Sequence, residues 1–337
     1  MKGVPSETPM QWQRRQTATS APVHYRIQHH TRFRYSRAVT EGFMEVRMQP
    51  ISDEQQQCHS FKLVVEPQAR VMTYEDFMGN RVHHFNTPGR HDQLLMKTDT
   101  VVACHRHAPL PSTLTSKSWD ALTAANLALT FWDYLSPSHF ARPTQRLLAM
   151  AQEIGLERRM DPLTLLRWLN TAVYEYFDYV PQSTQVDSPI DEALGRREGV
   201  CQDFAHIMIA LVRQVKIPCR YVSGYLFHRD DKDRSLEDAS HAWVEAWLPE
   251  LGWIGFDPTN NLIAEERHIR VAVGRDYADV PPTRGVFRGD AESELDVGVW
   301  VDRTDEPAAH TGQILEAVEW HAPNPTDDQH QQQQQQQ

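Results

Sequence analysis

The chain has 337 residues, 40% of them hydrophobic, and a formal net charge of −11, which is enough apolar material for one large core or two modest ones. The negative balance argues against broad attraction to nucleic acid or anionic membranes, and no apolar run approaches the ~20 residues that a membrane-spanning helix needs. The four cysteines, at positions 58, 104, 201 and 219, show no CxxC spacing, which argues against both a zinc site and a disulfide framework.

Residues 1–20 are polar and aperiodic and read as a flexible arm. Met1 to Ala21 lack the apolar centre of a signal peptide, so a cytoplasmic location is expected. From 21 to 105, short β-like segments alternate with turn residues, among them Phe61 to Pro67, Arg70 to Tyr74, Arg81 to Phe85 and Leu94 to Cys104. Asp76 to Asn80 reads as a hairpin turn. In Val23 to Tyr35 an apolar series alternates with His24, Arg26, Gln28, His30, Arg32 and Arg34, a strand with one basic face of the kind antiparallel sheets turn to solvent. The pattern then becomes helical. Leu147, Leu148, Ala151 and Ile154 have helical spacing, as do Leu165, Leu166, Leu169, Ala172 and Val173, and Asp161 before Pro162 is an N-cap.

Gly199-Val200-Cys201-Gln202-Asp203-Phe204-Ala205 opens a third helix, because Phe204, Ile207, Met208, Leu211, Val212 and Val215 recur on one face. Cys201 falls in its first turn, where the helix dipole favours thiolate over thiol. Taken alone it is also a small buried apolar residue, so a partner base decides the matter. Ser240 to Leu248 and Gly252 to Pro258 read as two strands of a hairpin. A register symmetric about Pro249 sets His241 directly opposite Asp257, ~4.5–5.5 Å apart at Cβ. A carboxylate there fixes the imidazole tautomer and leaves the other ring nitrogen for the thiol.

Ile269 to Val273 and Leu295 to Val301 alternate like closing strands. His29-His30, His83-His84 and His105-Arg106-His107 do not pair with a carboxylate or cysteine at a ligand spacing, so no metal or cofactor is expected. The acidic stretch Asp230-Asp231-Lys232-Asp233 with Glu237-Asp238 lacks the glycine and terminal glutamate of a calcium loop. It reads as a solvated loop at the rim of the site. Asn324 to Gln337 is low-complexity sequence with no core to form.

These residues resemble the bacterial transglutaminase-like proteins, a branch of the papain-like cysteine enzymes. The matching text is Phe177-Asp178-Tyr179-Val180-Pro181 with Thr184, GVCQDFAHIMIALVR from Gly199, IPCRYVSGYL from Ile217, HAWVEAWLPELGWIGFDPTNN from His241 and HIRVAVGRDYADVPPTRGV from His268. Tyr25 to Pro50 and Tyr74 to Asn80 resemble the N-terminal β-domain of such proteins, so the likeness covers roughly 21–303. It implies an α+β fold: a papain-like core, with a nucleophile helix packed on an antiparallel sheet, over 106–303, preceded by a β-sandwich-like domain over 21–105 and followed by a tail at 304–337. It also implies Cys201 as nucleophile, His241 as general base and acid and Asp257 as orienting residue, acting on a peptide or protein substrate. The backbone N–H of Cys201 is the natural first oxyanion donor, with Tyr179 and Gln202 as candidates for the second. Hydrolysis, transfer to an amine and, from another class, simple peptide binding remain the three expected activities.

Overall fold

The computed structural model describes residues 21–305 except 116, 125–128, 159, 230–232 and 237–238. The arm at 1–20, the low-complexity end and most of the acidic stretch lie outside the described residues.

The first half of the chain forms β1 (Val23–Val46), β2 (Gln56–Glu66), β3 (Met72–Glu75) and β4 (Arg81–Cys104). Arg81 to Phe85 and Leu94 to Cys104, separate segments in the sequence pattern, are the two ends of one strand, and β1 and β4 are each 24 residues long. Pairing between them slips between Arg34 and Val39 and again between Val39 and Glu41, which is where such long strands bend. Met44, Val46 and Phe85 on one side of the bend share a core with Val65, Leu94 and Met96 on the other. The sheet therefore folds over on itself into two packed layers, the sandwich-like arrangement. Asp76 and Asn80 close the hairpin between β3 and β4. The basic face of β1 is paired off, with Arg26 2.6 Å from Asp99 and Arg32 and Arg34 2.9 and 2.8 Å from Asp296.

Two further strands of this sheet come from the far end of the chain. β12 (Thr283–Arg288) and β13 (Ser293–Thr304) run antiparallel to the two halves of β1. By sequence order they belong with the second half of the chain. They lie instead on the edge of β1 that β4 leaves open, where unpaired N–H and C=O groups need partners.

The middle of the chain supplies short helices α1 (Lys117–Leu122) and α2 (Trp132–Leu135), then α3 (Gln145–Glu153), α4 (Pro162–Tyr176), α5 (Ile190–Arg196) and α6 (Cys201–Gln214). Asp161 caps α4, accepting from the N–H groups of Leu163 and Thr164 at 3.1 and 3.2 Å. A two-stranded parallel pair, β5 (Asp178–Tyr179) and β6 (Glu198–Gly199), leads into α6. The one-sided apolar pattern of α6 understates its burial, since Cys201 to Arg213 is buried on every side. It packs on an antiparallel sheet of β7 (Cys219–Leu226), β8 (His241–Leu248), β9 (Gly252–Asp257), β10 (Leu262–Ile263) and β11 (His268–Gly274), in the order β10-β9-β8-β7-β11, with α3, α4 and α5 around it. No helix among the described residues is long and apolar enough to cross a membrane.

β11 is an edge strand, and side-chain amides of the sandwich seal it. Asn80 Nδ2 donates to the Val273 carbonyl at 2.8 Å while Val273 N–H donates to Asn80 Oδ1 at 2.7 Å. Gln56 does the same for Arg270, with both bonds at 2.8 Å. Each amide reproduces the paired donor and acceptor of a neighbouring strand. Asn80→Leu, close in shape, leaves the Val273 N–H and C=O unmet, at about 1–3 kcal/mol for each buried group. The expected result is a lower urea midpoint at unchanged slope. A wild-type midpoint would show that the β11 edge needs no such partner.

Candidate active site

Cys201 is the first residue of α6 and only 8% exposed. Val200 before it is extended and has no side-chain acceptor, so the helix start is held from the other side: Asp203 Oδ2 accepts the Val200 N–H at 2.9 Å and the Thr184 hydroxyl. Burial raises the Asp203 carboxyl to about 6, against those two hydrogen bonds. Gly199 permits this approach, because a Cβ there would lie 3.0 Å from Asp203 Cβ. Burial pushes the other thiols up, Cys58 and Cys219 to about 11 and Cys104 to about 12. All four cysteines are free.

The hairpin carrying His241 and Asp257 forms, but its register differs from the symmetric one. Leu248 pairs with Gly252 and Val244 with Phe256, so the next step places Trp243, not His241, across from Asp257. The cause is local turn chemistry. Pro249 takes the second position of a four-residue turn closed by Leu251 N–H on the Leu248 carbonyl at 3.1 Å, and Gly252 follows with φ +73. A turn followed by a left-handed glycine makes a three-residue connection and centres the hairpin on Glu250. The shift is two residues, an even number, so His241 and Asp257 keep one face. They meet diagonally, His241 Nε2–H donating to Asp257 Oδ2 at 2.8 Å.

Asp257 is fully buried and takes five hydrogen bonds. Oδ2 accepts from His241, from His268 Nε2 at 3.1 Å and from Asn260 Nδ2 at 2.8 Å; Oδ1 accepts the N–H groups of Thr259 and Asn260 at 3.0 and 3.2 Å. Burial alone would raise this carboxyl, but the two imidazoles outweigh it and hold Asp257 well below the usual carboxylate range. For His241, burial opposes the charged form, yet Asp257 and then Cys201 raise it to about 10. Nδ1 of His241 has no partner at strict hydrogen-bond geometry. Its ionisation nevertheless responds to the Cys201 sulfur, which raises it. The ligand atoms of His241, Asp257 and His268 lie within 4.8 Å of one another, so these three could geometrically hold a cation. Three N–H donors already converge on Oδ2, and a cation would have to displace them.

Tyr179 is paired with Gly199 and is close enough to Cys201 that its hydroxyl, raised first by burial, is raised further by the sulfur. Gln202 Nε2 donates to the Gln185 carbonyl at 2.9 Å, tying the 182–189 loop to the helix start. Tyr221, on β7, also senses Cys201 after burial. Sequence reasoning passed over Tyr221, Asn260 and His268. Each lies inside the motif text quoted for the resemblance, but no residue spacing assigns it a role.

An open cleft of about 650 Å³ runs between the sandwich and the helical half. One wall is the outer sandwich face, with Phe43 and Val286 52% and 70% exposed; the other includes Phe140, Val186 and Tyr277. Val186 adjoins Gln185, the residue that Gln202 holds.

Residues 149–258 match the model of the transglutaminase-like superfamily, and residues 25–103 match that of the bacterial transglutaminase-like N-terminal region. An uncharacterized protein of Mycobacterium leprae is 34% identical over 282 residues, covering 82% of this chain and 98% of that one. The protein-glutamine gamma-glutamyltransferase of Pseudomonas aeruginosa is 30% identical over 179 residues, 48% of this chain but only 25% of that enzyme. Among solved structures, a candidate cysteine protease from Cytophaga hutchinsonii has the same fold, with a TM-score of 0.68 at 22% identity over 85% of this chain and 92% of that one. A buried cysteine at a helix start, a histidine and aspartate on adjacent strands and these two matched regions have one meaning: the chain belongs to the bacterial transglutaminase-like family of cysteine-based enzymes.

Proposed function

We propose that this protein is a cysteine-dependent acyl-transfer enzyme acting on amide bonds of a peptide or protein, with hydrolysis as its main outcome. The observation that carries the reading is the buried His241–Asp257 hydrogen bond at 2.8 Å, which leaves Nδ1 as the ring nitrogen available to Cys201. The Cys201 thiolate attacks the amide carbonyl carbon, and His241 gives its proton to the departing nitrogen. The thioester is then attacked by water, whose proton His241 accepts, and Cys201 is released. The Cys201 backbone N–H supports the oxyanion, with Tyr179 and Gln202 as candidate second donors. Gln202 has one N–H engaged with the Gln185 carbonyl and the Tyr179 hydroxyl is bonded to the Leu236 backbone, so each keeps one donor for this role.

The three residues of the triad do not line the cleft between the two halves, but Val186 in its wall adjoins Gln185, which Gln202 holds, and we assign the polypeptide substrate to it on that proximity. The cleft walls are mixed, with Phe43, Phe140, Val186 and Tyr277 beside His84, His139, Asp187 and Arg284, and Glu45 within it is engaged by Tyr74 and Arg47 at 2.8 and 3.2 Å. A segment carrying both bulky and polar side chains fits these walls. Transfer to an amine is the second reading, favoured by the likeness to the Pseudomonas glutamyltransferase. Four free cysteines suit a reducing compartment, and we place the protein in the cytoplasm.

Incubation with a glutamine-containing peptide, with and without a labelled amine, is expected to convert glutamine to glutamate in both cases by mass. Incorporation of the amine in preference to water would reverse the order of the two readings. Cys201→Ala is expected to abolish turnover while keeping the wild-type circular dichroism spectrum, and turnover surviving in it would sink the mechanism. Iodoacetamide at pH 7 is expected to modify Cys201 well ahead of Cys58, Cys104 and Cys219, as read by peptide mapping; equal labelling of all four would contradict an activated thiol.

His241 also sets a pH dependence. Its folded pKa, about 10, lies above the unfolded ~6.5, so its contribution is full below pH ~6.5 and is lost as pH rises through 10. The stability difference between wild type and His241→Gln, from urea titrations, should shrink steadily across that window. A constant difference would mean that His241 is not held as a cation.

A further inference from the structure

We infer that His268 is a positioning residue that acts through Asp257, its Nε2–H fixing Oδ2 where that oxygen orients the His241 ring. The inference rests on the acyl-transfer reading and assigns a further member to the same site.

Two imidazoles meet on one oxygen. His268 Nε2 is 3.1 Å from Asp257 Oδ2 and His241 Nε2 is 2.8 Å from the same atom, with both histidine side chains at most 2% exposed. A carboxylate held only by His241 and its own loop could turn about its Cβ–Cγ bond and carry the His241 ring with it. A donor from a different strand prevents this, because β11 does not move with the β9 loop. His268 is itself well anchored. It pairs with Leu226 on β7, its N–H donates to the Glu265 carbonyl at 2.9 Å, and its ring stands edge-on to Trp243 at 5.3 Å.

The two rings differ in charge. Burial lowers His268 despite its bond to Asp257, and the neighbouring His241 lowers it further, whereas His241 is raised. His268 therefore acts as a neutral donor. As a cation it would compete with His241 for the single negative charge. As a neutral N–H it steers the oxygen and leaves the charge to the imidazole beside Cys201.

The test uses the full chain, p-nitrophenyl acetate as a small activated ester, and three proteins: wild type, His268→Phe and His268→Gln. Phenylalanine keeps the ring volume and removes the donor, while the glutamine amide nitrogen can replace Nε2. The burst of nitrophenolate at pH 7 reports acylation of Cys201. His268→Phe is expected to acylate about ten-fold more slowly at saturating ester with KM unchanged, the effect of roughly 1.4 kcal/mol of lost hydrogen bonding. His268→Gln is expected to stay within about three-fold of wild type. A purely structural role would lower the melting temperature of both variants and restore no rate in the glutamine form.

Wild-type acylation by folded His268→Phe overturns the inference. Should that variant fail to fold, His268→Asn, whose shorter side chain withdraws the donor from Oδ2, must show the same slow burst, and a wild-type burst there overturns it equally. Absence of a burst in wild type removes the acyl-transfer reading itself, and this inference with it.

Discussion

The buried carboxylate of Asp257 is the constraint around which the second half of the chain is arranged. An isolated carboxylate out of water is too costly to keep ionised, so its oxygens must meet donors from whatever elements can reach them. Here the donors come from three places: the turn after β9, the start of β8 and the start of β11. Two strands must therefore begin at the same end of the sheet, near the end of a third. Gly224 makes this compatible with packing. It pairs with His241 on the strand between β8 and β11, and a Cβ there would stand 2.1 Å from the Ile269 carbonyl oxygen and 2.6 Å from the Trp243 ring.

The sandwich has a physical part in this arrangement beyond lining a cleft. β11 would otherwise present an open edge, prone to fraying and to pairing with other chains. Asn80 and Gln56 close it with bidentate amide contacts, and Ile51 N–H adds a third contact to the Arg270 carbonyl at 3.0 Å. The buried Arg270 guanidinium reaches back to Asp53 at 2.6 Å, so the attachment is ionic as well as amide-based. Because β11 begins at His268, whatever steadies β11 steadies the donor to Asp257. β12 and β13 return the chain to β1 and pin the sandwich from the other end.

How much of this was legible in sequence depended on whether the deciding interaction was local. Cys201 at a helix start was legible because the apolar period and the helix boundary both lie within fifteen residues of it. His241 and Asp257 were legible as a same-face pair because only the parity of the hairpin mattered. Their diagonal contact was not, since it turns on Pro249 and Gly252 adopting one connection rather than another. His268 was beyond reach for a different reason. It lies eleven residues from Asp257 in sequence, but two other strands, β8 and β7, lie between β9 and β11 in the sheet, so no local pattern pairs the two residues. The same holds for β12 and β13, whose partner strand is some 250 residues earlier.

The pair of imidazoles on Asp257 also bears on how a buried site can hold one charge and not two. Both rings are buried, with side chains 1% and 2% exposed, and both donate to the same atom. What separates them is the second neighbour. His241 has the shorter bond to Asp257 and the Cys201 sulfur beyond it, whereas His268 has Arg267 and His241 itself nearby, both of which oppose a positive charge. Low dielectric amplifies that difference, because a second cation would repel the first at close range with little water to screen it. The positive charge is thereby favoured on the ring next to the thiol, and the more distant ring is left as an uncharged donor.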